Sequence, residues 1–558
     1  MFSLAGIYYL VMAMMSLPDE ITHALILKGF ILLGCGAGIA MATADWLIVP
    51  IKNTAASQKI FYGLAGFLGI SIFLSIWKFG MCQFGGFDHS VVVEVGWRLI
   101  QGQKVHVDFP CTLPVGFFLG AKYAFKMFGV RWESLIFMTA GFSLMLYAWS
   151  LWLALRVFSE KYLALLLAVT IQAMSMVLVS YWWYNPITSA TAALFLLSAT
   201  LLWHHAEDKS ARASYFCALL LIALMKPNIA GIIVPLITIV FLFSRRHRIQ
   251  ILILSALAFA TFILFLKLND VNFSNLLKGY FAVAQRGMSM AQFLQDLCPT
   301  ERLLSKATFV LAIVPALISI ITNFTRMFDR CPWLGLAGIV GGSYGFLTNG
   351  EMKLVDLVPV LIGSFLVTAE LRKDLGGKDD VNLNWSSAAR RYVTASCIIL
   401  TISGLAQGIM RERVFYIGLG TFFQYSLPAK IFPDGFFKGL HSGDIFLEMN
   451  QQIEELIRKE PNSTIAFGPR MQWGYAVFNK PSPRYQPIWW HAGVAFAKSD
   501  EPMYVNGFFE RHFDLLILNK NDVILFPDYF IHSLGYYYTI DQSYSRLTVL
   551  RRKKFAGE

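Results

Sequence analysis

Thirteen apolar runs follow one another along this chain, at about 3–16, 24–47, 59–79, 133–156, 161–180, 187–203, 212–225, 228–243, 249–266, 307–323, 333–348, 354–370 and 391–410. A helix rises about 1.5 Å per residue and a bilayer core is about 30 Å thick, so each run is long enough, or nearly so, to cross. The expected fold is therefore a polytopic α-helical membrane protein of about thirteen spans. Over the 558 residues, 56% are hydrophobic, only 15% are charged and the mean hydropathy is +0.55, which excludes a soluble globule. The net charge of +12 does not point to nucleic acid, because many of the basic residues sit in short clusters between apolar runs, as topology signals do.

Those clusters set an orientation. SRRHR (244–248), LRKDLGGK (371–378) and AARR (388–391) belong in the cytoplasm by the positive-inside rule. They reach it if the N-terminus is cytoplasmic and the run LPVGFFLGAKYAFKMFG (113–129), short and carrying Lys122 and Lys126, lies in the membrane interface without crossing. The segments at 80–112, 181–186, 225–228, 267–306 and 348–353, and everything after 410, then face outward. MFSLAGIYYLVMAMMSL has no basic leader and is followed by acidic residues, so it reads as the first membrane helix and not as a cleaved signal. The seven cysteines show no CxxC spacing; Cys82 and Cys111 bracket an outward segment and are the one pair placed to form a disulfide.

Two units result. Residues 1–410 form the membrane domain, with 80–129 as an outward loop carrying interfacial helices, and 411–558 form a small extracytoplasmic α/β domain. Its pattern gives an amphipathic helix in GDIFLEMNQQIEELIRKE, strands at STIAF and DLLIL, a helix around FPDYFIHSL and a closing strand SRLTVLRRK. Internal repeats are absent, which counts against inverted-repeat transporters.

The chemistry concentrates in FGGFDHSVVVEVGWRLIQGQKVHVDFPCTLP, residues 84–114. Glu94 and Arg98 fall at i, i+4 and form a helical pair, and the helix around them suits the membrane interface. Asp88 stands just ahead of that helix, after Gly85-Gly86, as an N-cap or as something more. The order of elements is an apolar helix, Phe-Asp-His, an amphipathic helix ending Gln-Gly-Gln, then Val-His-Val-Asp-Phe and a proline-led apolar run.

This order resembles the first external loop of integral-membrane glycosyltransferases of the GT-C class, the superfamily of protein O-mannosyltransferases and aminoarabinose transferases. The resemblance implies that Asp88 acts at the catalytic centre and that Asp108 is an orienting carboxylate or metal ligand. The family's usual tyrosine near Asp108 is replaced here by His106 or Val107, and its Pro-Pro by Leu113-Pro114. It extends loosely over 59–410, and the Leu-Met-Lys-Pro-Asn of 224–228 resembles a lysine-bearing turn, which assigns Lys226 to a donor phosphate. Arg286 is a further phosphate candidate; His89, His106, Asn349, Glu351 and Lys353 are candidates for acceptor or other contacts. Relatives often carry an acid in the second external loop, where this chain has Tyr184-Asn185-Pro186. No cofactor is assigned, and a divalent cation stays open. His204-His205, beside EDKSAR, reads as a hydrated cytoplasmic loop.

The residue types suit such a reaction on their own terms. An acceptor hydroxyl loses a proton as it attacks an anomeric carbon, so a carboxylate serves as general base. Charge grows on the departing phosphate, so a fixed cation stabilises it. The expected partners are a polyprenyl-phosphate sugar donor, membrane lipids and a glycan, lipid or protein acceptor, at the inner (plasma) membrane. A lipid-linked sugar flippase is the competing class, although a transporter places charges near the bilayer midplane and here nearly all acids lie in loops.

Overall fold

The computed structural model describes residues 55–82, 84, 87–282, 303–327, 332–349, 354–372, 387–413, 430–442, 444–520, 526–544 and 546–554. The first two apolar runs, Arg286, Glu351, Lys353 and the side chain of Asn349 lie outside them.

Every apolar run from residue 59 onward is helical: Ala55–Gly80, Trp132–Val157, Lys161–Gln172 with a π-turn at Ala173–Val177, Tyr184–His204, Lys209–Met225, Pro227–Phe243, Arg248–Leu268, Leu303–Thr322, Trp333–Asn349, Val358–Arg372 and Ser387–Arg413. Four of the described helices have the length and apolarity of a full crossing: those from Ser57 to Gly80, Trp132 to Val157, Tyr184 to His204 and Arg248 to Leu268. Several others are shorter or carry an internal proline, Pro235 and Pro315 among them. Thirteen full crossings are thus not established by length. Nearly all of Tyr184–His204 is buried, whereas Arg248–Leu268 leaves most of its apolar side chains exposed, so the first is a central helix and the second faces lipid.

With lipid as the solvent, helices associate through close backbone approach and buried polar pairs. Gly335 and Gly363 are each placed so that a Cβ would strike the other's carbonyl oxygen, which lets Trp333–Asn349 and Val358–Arg372 pack intimately. Ser198 and Ser214 hydroxyls pair at 2.8 Å, and those of Thr170 and Thr401 at 3.0 Å, across helix contacts.

The C-terminal domain begins with a short hairpin, β1 (Lys430–Ile431) and β2 (His441–Ser442), and the amphipathic helix Asp444–Lys459. A four-stranded sheet follows, β3 (Ile465–Phe467), β4 (Leu515–Asn519), β5 (Tyr538–Ser543) and β6 (Leu547–Arg552), in the order β3-β4-β6-β5. Only β3 and β4 are parallel. The expected helices and strands are present. β5 was not expected, because it is an edge strand whose side chains are mostly exposed and so lacks apolar alternation.

The helix Phe87–Ile100 does not lie open in a membrane interface. It is buried from His89 to Arg98, sandwiched between Val115–Phe128 and the short helix Trp473–Val477 of the C-terminal domain. Val115–Phe128 itself has 14 residues, about 21 Å of helix, which is too short to cross. One apolar core runs from Phe61 in the bundle to Val549 in the sheet without a break. Main-chain bonds stitch the two units, Trp132 N–H to the Phe436 carbonyl at 3.0 Å and His441 N–H to that of Met81 at 2.8 Å.

The bundle has two chemically distinct ends. At one, the loop after Gly80, the 181–186 turn, Lys226 and the C-terminal domain meet. At the other, Arg156 pairs with Asp208, Arg390 lies 3.8 Å from Glu160, and His204 Nε2 lies 2.6 Å from Glu370 Oε1. The expected hydrated loop at His204 is therefore corrected: this imidazole is mostly buried against a carboxylate. Cys82 and Cys111 are both buried, and the candidate disulfide between them is not formed.

Candidate active site

Asp88 occupies the first turn of Phe87–Ile100, half-buried, where the positive end of the helix dipole favours a carboxylate. Its neighbour His89 is buried with its ring 4.1 Å from that of Tyr181, and Trp132 closes on it from the side at 5.3 Å. From Tyr181 a run of rings continues to Trp183 at 6.1 Å and from there to Tyr184 at 4.8 Å. Over the Tyr184 ring, 5.5 Å from its centre, stands the Lys226 ammonium. Phe117 braces the run edge-on against both Trp183 and Tyr184. One aromatic wall therefore joins the neighbourhood of Asp88 to Lys226.

Lys226 is buried at the break between Lys209–Met225 and Pro227–Phe243, where Pro227 cannot donate a backbone bond. Its Nζ donates to Asn185 Oδ1 at 2.9 Å. The second-loop residue that touches this cation is thus a neutral amide. The wall itself was read in the sequence only as a short loop; four successive aromatic and amphipathic residues, YWWY, at a membrane boundary were the available signal. Asp356, within an apolar run and also passed over, is buried in the 3-10 turn Leu354–Leu357.

Asp108 lies elsewhere. Asp88 opens the helix and Asp108 lies toward its far end, where the adjacent Phe109 packs on Arg98, about 15 Å of helix from Asp88. Asp108 closes its own turn, accepting the Lys104 N–H at 2.7 Å, with Arg484 of the C-terminal domain 3.6 Å away. A divalent cation shared by Asp88 and Asp108 does not fit this arrangement, and no cluster of three or more metal-ligating side chains occurs among the described residues.

Glu94 and Arg98 do pair, at 2.6 Å, but as a fully buried pair. Arg98 also donates to the Gln486 carbonyl at 2.9 Å and lies over the Phe109 ring, while Ser482 donates to Glu94 at 3.0 Å. Burial lifts the Glu94 carboxyl above its ordinary value, with the Arg98 guanidinium working the other way. Gln103 and Trp97 donate to the carbonyls of Ser482 and Lys480, so the end of this helix and the turn after it bind the backbone of 480–486. Burial also depresses His106, to about 4, so its imidazole is neutral near pH 7.

Among solved structures, ArnT from Cupriavidus metallidurans bound to undecaprenyl phosphate matches this chain with a TM-score of 0.52 and 11% identity, over 89% of this chain and 98% of that one. Its apo form matches with a TM-score of 0.51 and 12% identity, over the same shares. The chain has a GT-C-like fold. No family model and no curated protein matches the sequence. The shared fold covers the membrane bundle and most of the C-terminal domain together, which agrees with the unbroken core.

Proposed function

We propose that the chain is an integral-membrane glycosyltransferase that moves a sugar from a polyprenyl-phosphate donor to an acceptor hydroxyl, with inversion, on the non-cytoplasmic face. The observation that carries this reading is the aromatic wall that runs from His89, next in sequence to Asp88, to Lys226 at one end of a GT-C-like bundle. A carboxylate next in sequence to one end of this wall and a buried ammonium over the other supply the two charges that the reaction needs.

Asp88 takes the proton of the acceptor hydroxyl as its oxygen bonds to the anomeric carbon. The bond from that carbon to the phosphate oxygen breaks, and the electron pair leaves with the lipid phosphate. Lys226 stabilises the charge that collects there; because Asn185 is neutral, its hydrogen bond fixes the ammonium without cancelling it. The ArnT structure bound to undecaprenyl phosphate supports a lipid phosphate as partner of this fold.

Incubation of the purified protein with radiolabelled polyprenyl-phosphate sugars and membrane glycan extracts tests the reading. Transfer by the parent protein and its loss in Asp88→Asn are expected. Movement of lipid-linked sugar across vesicle membranes without transfer, unaltered in Asp88→Asn, supports the flippase class instead.

A further inference from the structure

A cavity of about 990 Å³ is walled by three parts of the chain: the loop 106–112, the helix Phe273–Ala282 and the C-terminal domain between Tyr485 and Arg511. Its volume is at the upper end for small-molecule sites, roughly 300–1,000 Å³. Asp88 and Lys226 do not line it.

The charges on its walls balance, Lys278 and Arg511 against Asp500 and Glu510, so no net field draws an anion in. Aromatic rings supply the apolar surface, among them Tyr485 and the pair Phe496 and Tyr504, 4.9 Å apart. Two buried polar atoms of wall residues find no hydrogen-bonding protein partner. They are Oε1 of Gln486, a side chain 3% exposed, and Nε2 of His106. Buried polar atoms are nearly always satisfied, so such a pair on a cavity wall calls for a ligand with hydroxyl or similar groups.

The backbone supports the same conclusion. Tyr485 (φ 58°) and His106 (φ 60°) both adopt the left-handed conformation, which bulky residues hold only where their surroundings impose it and which concentrates at binding sites. For Tyr485 the imposing group is Asp108, whose carbonyl accepts the Tyr485 N–H. The Tyr485 side chain remains 59% exposed, on the cavity wall. Phe109, also on that wall, stacks on Arg98, ten residues along the helix from Asp88 and so about 15 Å from it.

We propose that this cavity is a remote acceptor subsite for a neutral oligosaccharide chain, with Tyr485 as stacking platform and Gln486 and His106 as partners of ring hydroxyls. The proposal rests on the glycosyl-transfer reading. Sugar rings pair an apolar face with hydroxyls that both donate and accept, which matches an aromatic wall bearing an amide oxygen and a neutral imidazole. The distance to Asp88 exceeds one sugar ring, so the acceptor is a chain whose remote rings add binding that a monosaccharide lacks.

The test is a binding measurement that needs no turnover. Full-length protein in lipid nanodiscs is titrated with linear trisaccharides of mannose, glucose, galactose and N-acetylglucosamine, with the matching monosaccharides, and with undecaprenyl phosphate. At least one trisaccharide should bind tenfold or more tightly than its monosaccharide. Tyr485→Ala and Gln486→Leu should each weaken that binding tenfold or more, Tyr485→Phe should retain it, and undecaprenyl phosphate binding and thermal unfolding should not change. Failure of every trisaccharide to bind, or binding that survives both Tyr485→Ala and Gln486→Leu, overturns the proposal. If the trisaccharide result holds while Asp88→Asn transfers sugar normally, the cavity assignment stands and the base assignment fails. The reverse pattern rejects the cavity alone.

Discussion

At the scale of single residues, Asp88 and Lys226 should fail in different ways. Asp88→Asn keeps the size and hydrogen-bonding shape of the side chain but removes the proton acceptor. Transfer should fall by about two to four orders of magnitude with donor binding intact, as turnover and donor titration will show. Lys226→Ala should weaken donor binding and turnover together, because its charge serves both the bound and the departing phosphate. Asn185→Asp gives the most specific check: it sets a carboxylate beside Lys226 and should reduce affinity for undecaprenyl phosphate while leaving the fold in place. His106 makes a pH prediction. Its folded value of about 4 lies below the ordinary 6.5, so between those values the unfolded chain binds a proton that the folded chain excludes. The stability that neutral His106 contributes is full above about 6.5 and is lost as the pH falls toward 4. His106→Asn has no such proton site, and its melting temperature should decline less than the parent's across that window.

At the scale of elements, the helix Phe87–Ile100 is the joint between bundle and C-terminal domain, and its buried ion pair is the most sensitive part. Arg98→Met removes the guanidinium that pairs with Glu94 in the buried seam and leaves that carboxyl only its Ser482 bond, which should cost about 3–5 kcal/mol. The double substitution Glu94→Leu with Arg98→Met removes both charges and should recover most of that loss in thermal unfolding. The aromatic wall has an equally local weak point at Gly120. A Cβ there would enter the ring of Trp182, whose indole N–H donates to the Phe117 carbonyl at 2.9 Å. Gly120→Val should displace Trp182, unsettle Phe117 and the rings that it braces, and depress transfer although it touches neither Asp88 nor Lys226.

At the scale of the whole molecule, the described outward segments 80–82, 87–112, 181–186 and 225–228 lie at the end that carries the C-terminal domain, and SRRHR and AARR lie at the other. Cysteine labelling of intact cells after residue 100, after residue 247 and within the C-terminal domain should therefore report outside, inside and outside. Labelling of the first two from the same side would overturn the count of crossings. The continuous core also changes what truncation does. Deleting the C-terminal domain would uncover Glu94, Arg98 and a broad apolar surface, so loss of the folded protein is expected, and not merely loss of acceptor use.

The membrane class, the positions of the helices and the pairing of Glu94 with Arg98 were legible in the sequence, because each depends on hydropathy, charge placement or i, i+4 spacing, which are properties of neighbouring residues. The place of Asp88 at the start of an amphipathic helix was legible for the same reason. The contacts of Asp108, Tyr485 and Gln486 were not. Asp108 meets Arg484 and Tyr485 across more than 370 residues of chain, and a local pattern carries no information about that encounter. Likewise the helix Phe87–Ile100 has the amphipathic pattern of an interfacial helix, and only the docked C-terminal domain turned its polar face into a buried seam. Asn185 beside Lys226 and the aromatic wall between Lys226 and His89 exist because helices distant in sequence end at one level of the bundle. That alignment is set by packing, which tertiary structure alone decides.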